Sequence, residues 1–180
     1  MNTTVIVIIA VVVLLLLIFI GISNGLNRAL VKIDEAASGI DVALTKRYDV
    51  LTKMMDTCKS FVKHESEVMF EVIKLRSGSS IQEKNEANHA MDENFRKINV
   101  VAENYPELKS SETFVTLQKS VLDVEEHLQA ARRLYNSNVS IFNQKIVTFP
   151  SSIIANMKGF TKKDFFEAEE SNRADVKIDI

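Results

Sequence analysis

Glu86-Ala87-Asn88-His89 is the only Glu-x-x-His spacing in the chain. A carboxylate and an imidazole one helical turn apart are the pair used by di-iron bundles, which need two such pairs and two further glutamates. His64 and His127 have no glutamate three residues before them, so the ligand count is not met. His64-Glu65 opens like a zinc-protease helix, but Val68 stands where the second histidine ligand belongs. Gly78, in Arg76-Ser77-Gly78-Ser79-Ser80, lacks the lysine and second glycine of a phosphate loop and reads as a flexible linker. Cys58 is the only cysteine, which excludes an intramolecular disulfide and a cysteine-rich zinc site; its apolar helical position points to a buried thiol. No histidine shares a motif with a nucleophile. The expectation is a non-enzyme with no metal and no cofactor.

The elements that would position any chemistry are more explicit than the chemistry. Val5 to Ile22 is an uncharged apolar run, VIVIIAVVVLLLLIFIGI. At about 1.5 Å per residue it makes about 27 Å of helix, close to the thickness of a bilayer's hydrocarbon core. It is apolar all round, so it has no polar face to leave in water. We expect a transmembrane helix over about residues 5–22, with Val5, Ile9, Val13, Leu17 and Ile20 facing lipid, inside an anchor segment of residues 1–25. A cleaved secretory signal is the rival: Gly21 and Ser23 are small enough for a cleavage site, but Met1 to Thr4 carries no basic residue. Arg28, Lys32, Lys46 and Arg47 follow the run, and the positive-inside rule puts the C-terminal part in the cytoplasm and the N-terminus outside.

Leu26 to Ile180, about 155 residues, suits one domain, and a net charge of −2 gives no reason to expect nucleic acid as a partner. Leu26, Leu30, Ile33, Ala37, Ile40 and Leu44 step by three and four and share a helical face, which Leu51, Met55, Cys58, Val62 and Met69 carry towards Leu75. Ser80 and Glu83 form a capping box for a helix striped with Met91, Phe95, Ile98 and Ala102. On its solvent side Asp92/Arg96 and Glu93/Lys97 would pair at four-residue spacing. Pro106 stops it, and Ser110 or Ser111 caps a last helix striped from Phe114 to Ile146 and ending by Pro150. Long helices call for partners alongside, hence an all-α antiparallel bundle over residues 26–149. Between Lys46 and Thr52 there is neither Gly nor Pro, so pattern alone leaves open a continuous helix or a turn at Tyr48-Asp49.

These residues resemble a known family. Ile40-Asp41-Val42, Lys46-Arg47-Tyr48-Asp49 and Val62-Lys63-His64-Glu65, then AENYPELKSSETFVTLQ from Ala102 and AARRLYN from Ala130, are similar to the bacterial LemA family. Phe142-Asn143, Phe149-Pro150, Gly159-Phe160 and Phe165-Phe166-Glu167 complete the likeness in family order. The resemblance implies one N-terminal membrane helix in the bacterial cytoplasmic membrane. It also implies an antiparallel up-and-down four-helix bundle with a turn near Tyr48-Asp49. It brings no assigned reaction, although some relatives are linked to building or remodelling membrane compartments. Family members usually carry tryptophan where this chain has Ala37 and proline where it has Thr52.

Asp41, Arg47, Tyr48, Asp49, Arg132, Tyr135, Asn136, Asn143, Phe149 and Pro150 are the candidate structural or interaction motif. Asn136 and Asn143 are seven residues apart on one face, either as hydrogen-bonded groups fixing register or as the lining of a small-ligand cavity. Arg47 and Arg132 are expected to pair with Asp41, Asp49 or Glu126. Gly21 and Gly25 have the spacing of a helix-dimerisation motif or mark a hinge. In residues 150–180, Phe160, Lys162, Lys163, Phe165 and Phe166 either cover the bundle end or touch anionic lipid, and an acidic tail follows from Glu167. Expected partners are the lipid bilayer and a protein partner or a second copy of the chain. Two functions remain open: a membrane-anchored scaffold of the cell envelope, or a ligand-sensing bundle coupled to the membrane helix.

Overall fold

The computed structural model describes residues 2–62 and 78–166, and among them every regular element is a helix. In chain order they are α1 (Thr3–Phe61), α2 (Ile81–Asn104), α3 (Pro106–Ser110), α4 (Glu112–Val147) and α5 (Ser151–Met157). Lys63-His64-Glu65, Val68, Met69, Leu75, Arg76-Ser77 and the tail from Glu167 lie outside the described residues.

α1 is a single helix of 59 residues, about 88 Å long. It continues through Gly25 and through Tyr48-Asp49, so the turn expected at that pair does not occur. The reason is local. No residue from Lys46 to Thr52 removes an amide donor or prefers another backbone region. Thr52 also donates its hydroxyl to the Tyr48 carbonyl at 2.8 Å, a bond that a threonine makes within a helix. The described residues therefore hold three long helices, α1, α2 and α4.

The chain divides into two compact units, one formed by Met1–Ala37 with Leu134–Asp164, the other by Ser38–Arg133 with Phe165–Ile180. In the second unit, α1, α2 and the first half of α4 enclose a core of Leu51, Met54, Met55, Cys58, Met91, Ile98, Leu108 and Phe114. α4 is antiparallel to α1: an added Cβ on Gly39 would stand 3.9 Å from Ala131, and Arg47 lies 3.1 Å from Glu125. α2 runs parallel to α1, because Asp41 meets Lys84 while Arg47 meets Asn88 and Asp92.

The local signals hold at the helix ends. Ser80 accepts from the Glu83 amide at 3.2 Å and the Glu83 carboxylate accepts from the Ser80 amide at 2.6 Å, a complete capping box. α2 ends at Asn104, before Pro106, which takes the first position of α3 where its missing N–H costs nothing. Of the two serines offered for α4, Ser111 accepts from the Phe114 amide at 3.3 Å.

In the first unit α1 and the second half of α4 pack through Leu26, Ala29, Ile33, Val139, Phe142 and Ile146, all buried. Asn138 ties them by donating to the Lys32 carbonyl at 2.9 Å. After α5 the chain reverses through Gly159, whose φ of +69° is the left-handed region. The Phe160 amide reaches back to Ala155 at 3.0 Å and the Gly159 amide to Asn156 at 3.2 Å. That is a Schellman closure, and glycine suits it because it has no Cβ to clash there.

Candidate functional site

Two polar constructions stand out, one in each unit. In the second, Arg47 of α1 is 5% exposed and its guanidinium reaches two other helices, α2 and α4. Nη1 donates to Asn88 Oδ1, Nη2 donates to Asp92 Oδ1, and Nη2 lies 3.1 Å from Glu125 Oε2. Nearby, the buried Lys84 pairs with Asp41 at 2.8 Å. These are not the partners expected from neighbouring positions: Arg47 takes neither Asp41 nor Asp49, and Asp49 is exposed. Asp92, expected on the solvent side opposite Arg96, faces Arg47 with 12% of its side chain exposed. An open groove of about 380 Å³ beside Arg47 is lined by Phe95, Arg96, Val121, Leu122 and Gln129 as well as the two carboxylates.

A fully charged side chain brought out of water needs matched partners, or it costs several kcal/mol. Arg47 has carboxylates from two helices and an amide, in a fork geometry that lysine does not supply. The arrangement specifies which turn of α2 and of α4 stands beside which turn of α1. Tyr48 packs against the adjoining core. Arg132, also buried, donates to Gln129 Oε1 at 2.8 Å and lies with Cζ 5.9 Å from the centre of the Phe166 ring. Phe166 is 1% exposed.

In the first unit the residues after Gly159 run back along α4. Phe160 meets Phe142 edge-on at 5.9 Å. Asn143 donates to the Lys163 carbonyl and accepts from the Lys163 amide, both at 2.9 Å. Tyr135 donates its hydroxyl to the Asp164 carbonyl at 3.1 Å. Burial pushes the Tyr135 hydroxyl up from its ordinary 10.0, and Asp164 and Asp34 add to the rise. The Asn143 amide, open to a register role or to a place in a ligand cavity, is thus bonded through both its atoms to backbone. Asn136 is half-buried. Phe160 is half-buried, Lys162, Lys163 and Phe165 are exposed, and Phe149 stands 77% exposed beside an exposed Pro150.

The remaining chemical candidates fall apart in space. His89 is exposed, and among the described residues no three His, Cys, Asp or Glu side chains converge on a metal-sized site. Cys58 is 1% exposed in the core, where burial raises its thiol from the ordinary 9.0. Val5, Ile9, Val13, Leu17 and Ile20 are 43–61% exposed, on the part of α1 that is long and apolar enough to cross a membrane. Gly21 and Gly25 sit at the end of that part, with nothing within 4 Å of an added Cβ on either.

Buried cross-helix charge was missed in the sequence for a physical reason. The contacts join Arg47 to positions 41, 45 and 78 residues away, beyond the reach of any spacing rule within one helix. A signal was nonetheless present: Lys84 and Asn88 share a face with Met91, and Arg47 lies three residues after Leu44, so polar groups interrupt two apolar stripes.

Long helices, joined by buried charge in the second unit and including an exposed apolar run in the first part of α1, define an all-helical protein with a candidate membrane helix at its N-terminus. The chain belongs to the LemA family, whose model matches residues 36–180. It is 29% identical over 164 residues to Protein LemA of Metamycoplasma hominis, covering 88% of this chain and 75% of that protein. Magnetosome protein MamQ 2 of Paramagnetospirillum magneticum is 27% identical over 71 residues, or 39% of this chain and 26% of that protein. Magnetosome protein MamQ of Magnetospirillum gryphiswaldense is 24% identical over 70 residues, with the same two shares, 39% and 26%.

Proposed function

We propose that this chain is a membrane-anchored, non-enzymatic scaffold of the bacterial cell envelope, single-pass, with its helical domain in the cytoplasm and its N-terminus outside. The observation that carries the reading is the continuity of α1, in which a wholly exposed apolar run passes without a break into a bundle helix. Such a run in water would present a far larger apolar patch than soluble proteins tolerate. The cations after it, Arg28 and Lys32 first, support that orientation.

The scaffold role draws on the character of the polar groups. Arg47, Lys84, Arg132 and Asn143 are engaged in holding helices and backbone together, and none is presented to a substrate-sized cleft with a nucleophile. The likeness to magnetosome proteins favours a task at a membrane compartment. Its bundle faces then bind a protein partner or further copies of the chain. Cross-linking the full-length protein in its native membrane, followed by measuring complex mass and identifying captured chains, tests this. A defined complex of one or two chain types is expected; a protein that stays monomeric and captures nothing would remove the scaffold reading.

A further inference from the structure

The first unit carries a second feature where α1 leaves the apolar run. α4 is antiparallel to α1, and Lys145 lines the same groove as Gly25, so the residues after Lys145 lie towards Ile22. Lys158, at the end of α5, donates to Ser23 Oγ, one residue beyond that run. α5 is therefore held at the level where a spanning helix would meet lipid headgroups.

Two complementary surfaces occupy that level. Ile154 and Ala155 bury one side of α5, while Ile153 is 53% exposed, Met157 71% and Phe149 77%, an apolar set larger than a surface turn needs. Towards the same end of the unit, a groove of about 280 Å³ between α1 and α4 is lined by Arg28, Lys32 and Lys145 over a floor of Gly25, Ala29 and Ile141. No carboxylate lies within ion-pairing distance of these three cations among the described residues. Three cations about a volume that size suit a phosphate, and exposed apolar side chains next to a lipid-facing helix suit the interface.

We infer that this end of the unit docks on an anionic bilayer, with Phe149, Ile153 and Met157 entering the interface and Arg28, Lys32 and Lys145 holding the phosphate of an anionic lipid headgroup. The inference rests on the reading that α1 crosses the membrane. It commits to lipid because the surface continues an apolar run that is itself exposed along its whole length.

The chain has no tryptophan, so Phe149→Trp supplies a single reporter in the full-length protein. In proteoliposomes of phosphatidylglycerol its emission should be blue-shifted and quenched by brominated acyl chains. Water-like, unquenched emission overturns the docking, as does quenching that appears only on adding a protein partner. Native mass spectrometry of the detergent-solubilised protein reads the headgroup. Retention of phosphatidylglycerol over phosphatidylcholine should fall about fivefold for each of Arg28→Gln, Lys32→Gln and Lys145→Gln, the factor that about 1 kcal/mol per cation corresponds to. The charge-conserving Arg28→Lys and Lys145→Arg should retain it, which separates lost charge from lost folding. Equal retention of both lipids, or displacement by millimolar inorganic phosphate, overturns the headgroup assignment. Carbonate extraction separates the two readings. A protein released from membranes refutes the spanning helix, whereas one that stays behind without lipid selectivity refutes only the docking.

Discussion

The side-chain amide of Asn143 makes to the backbone of Lys163 the pair of hydrogen bonds that an adjoining strand would make, one donated and one accepted, each 2.9 Å long. A single side chain on α4 thereby supplies a segment that has no regular structure with the backbone partners it would otherwise take from water. Tyr135 repeats the device one residue later, at the Asp164 carbonyl.

Asn143→Ala should free that segment. Two net hydrogen bonds at about 1 kcal/mol each are lost, somewhat less at a half-exposed site. Limited trypsin digestion is the direct measurement, and cleavage after Lys162 and Lys163 should quicken severalfold with the far-ultraviolet spectrum unchanged. Asn143→Asp should behave similarly, because a carboxylate keeps the acceptor but faces the Lys163 carbonyl. Unchanged cleavage would show that Phe160 and Tyr135 hold the segment without it.

Arg47→Met should be among the most damaging single changes. It leaves Asp92 and Glu125 close together with no cation between them, a loss of about 3–5 kcal/mol. Thermal unfolding in detergent should begin at least about 6 °C lower, at roughly 2–4 °C per kcal/mol for a chain of this size. Adding Asp92→Asn and Glu125→Gln should recover much of the loss, since the repulsion goes with the charges. Arg47→Lys should fall between, as one ammonium cannot serve three partners with a planar fork.

The stripes, the caps and the apolar run were legible because each is local: Leu26, Ile33, Ile40 and Leu44 are buried at the spacing a helix imposes. The Ser80 box and the Ser111 cap follow from side chains that satisfy amides three residues away. The turn at Tyr48-Asp49 came from family likeness, against a local stretch with no residue to break a helix, and the local chemistry prevailed. The partners of Arg47 and the grip of Asn143 on Lys163 depend on which helices become neighbours, and a one-dimensional pattern does not carry that.

Thr52→Pro tests that same stretch. Proline there removes an amide that the α1 ladder uses and sets its ring against the Tyr48 carbonyl, at about 3 kcal/mol. The unfolding midpoint should drop by roughly 6–12 °C, whereas Thr52→Ala should stay within about 0.5 kcal/mol of the parent. A proline variant as stable as the parent would mean that α1 accepts a turn at this point.

Gly159→Ala isolates a backbone effect. Nothing lies within 4 Å of the added methyl, so the loss comes from holding alanine at φ +69° and should be about 1–2 kcal/mol. Gly159→Asn should lose less, because asparagine tolerates the left-handed region better. Equal losses for the two would point to a contact instead of a conformational cost.

The pH dependence has a definite sign. Burial raises both the Cys58 thiol, from 9.0, and the Tyr135 hydroxyl, from 10.0, so the folded chain favours their neutral forms. Stability from these groups is whole below their ordinary values and is lost as pH climbs through the raised ones. Midpoints measured from pH 7 to 11 should stay level at first and then decline above about pH 9. Cys58→Ala with Tyr135→Phe should flatten that decline.

Because α1 has no break between Ile22 and Leu26, it behaves as a keyed shaft. Each residue advances the azimuth by about 100° and the height by about 1.5 Å. The compass bearing of every apolar side chain in the run is therefore dictated by the packing of Leu26, Ala29 and Ile33. Adding one alanine after Gly21 would rotate the whole run by that angle while scarcely altering its length. Any neighbour that recognises one side of the run would then meet a different side, so the packing around Leu26 governs which face the run presents.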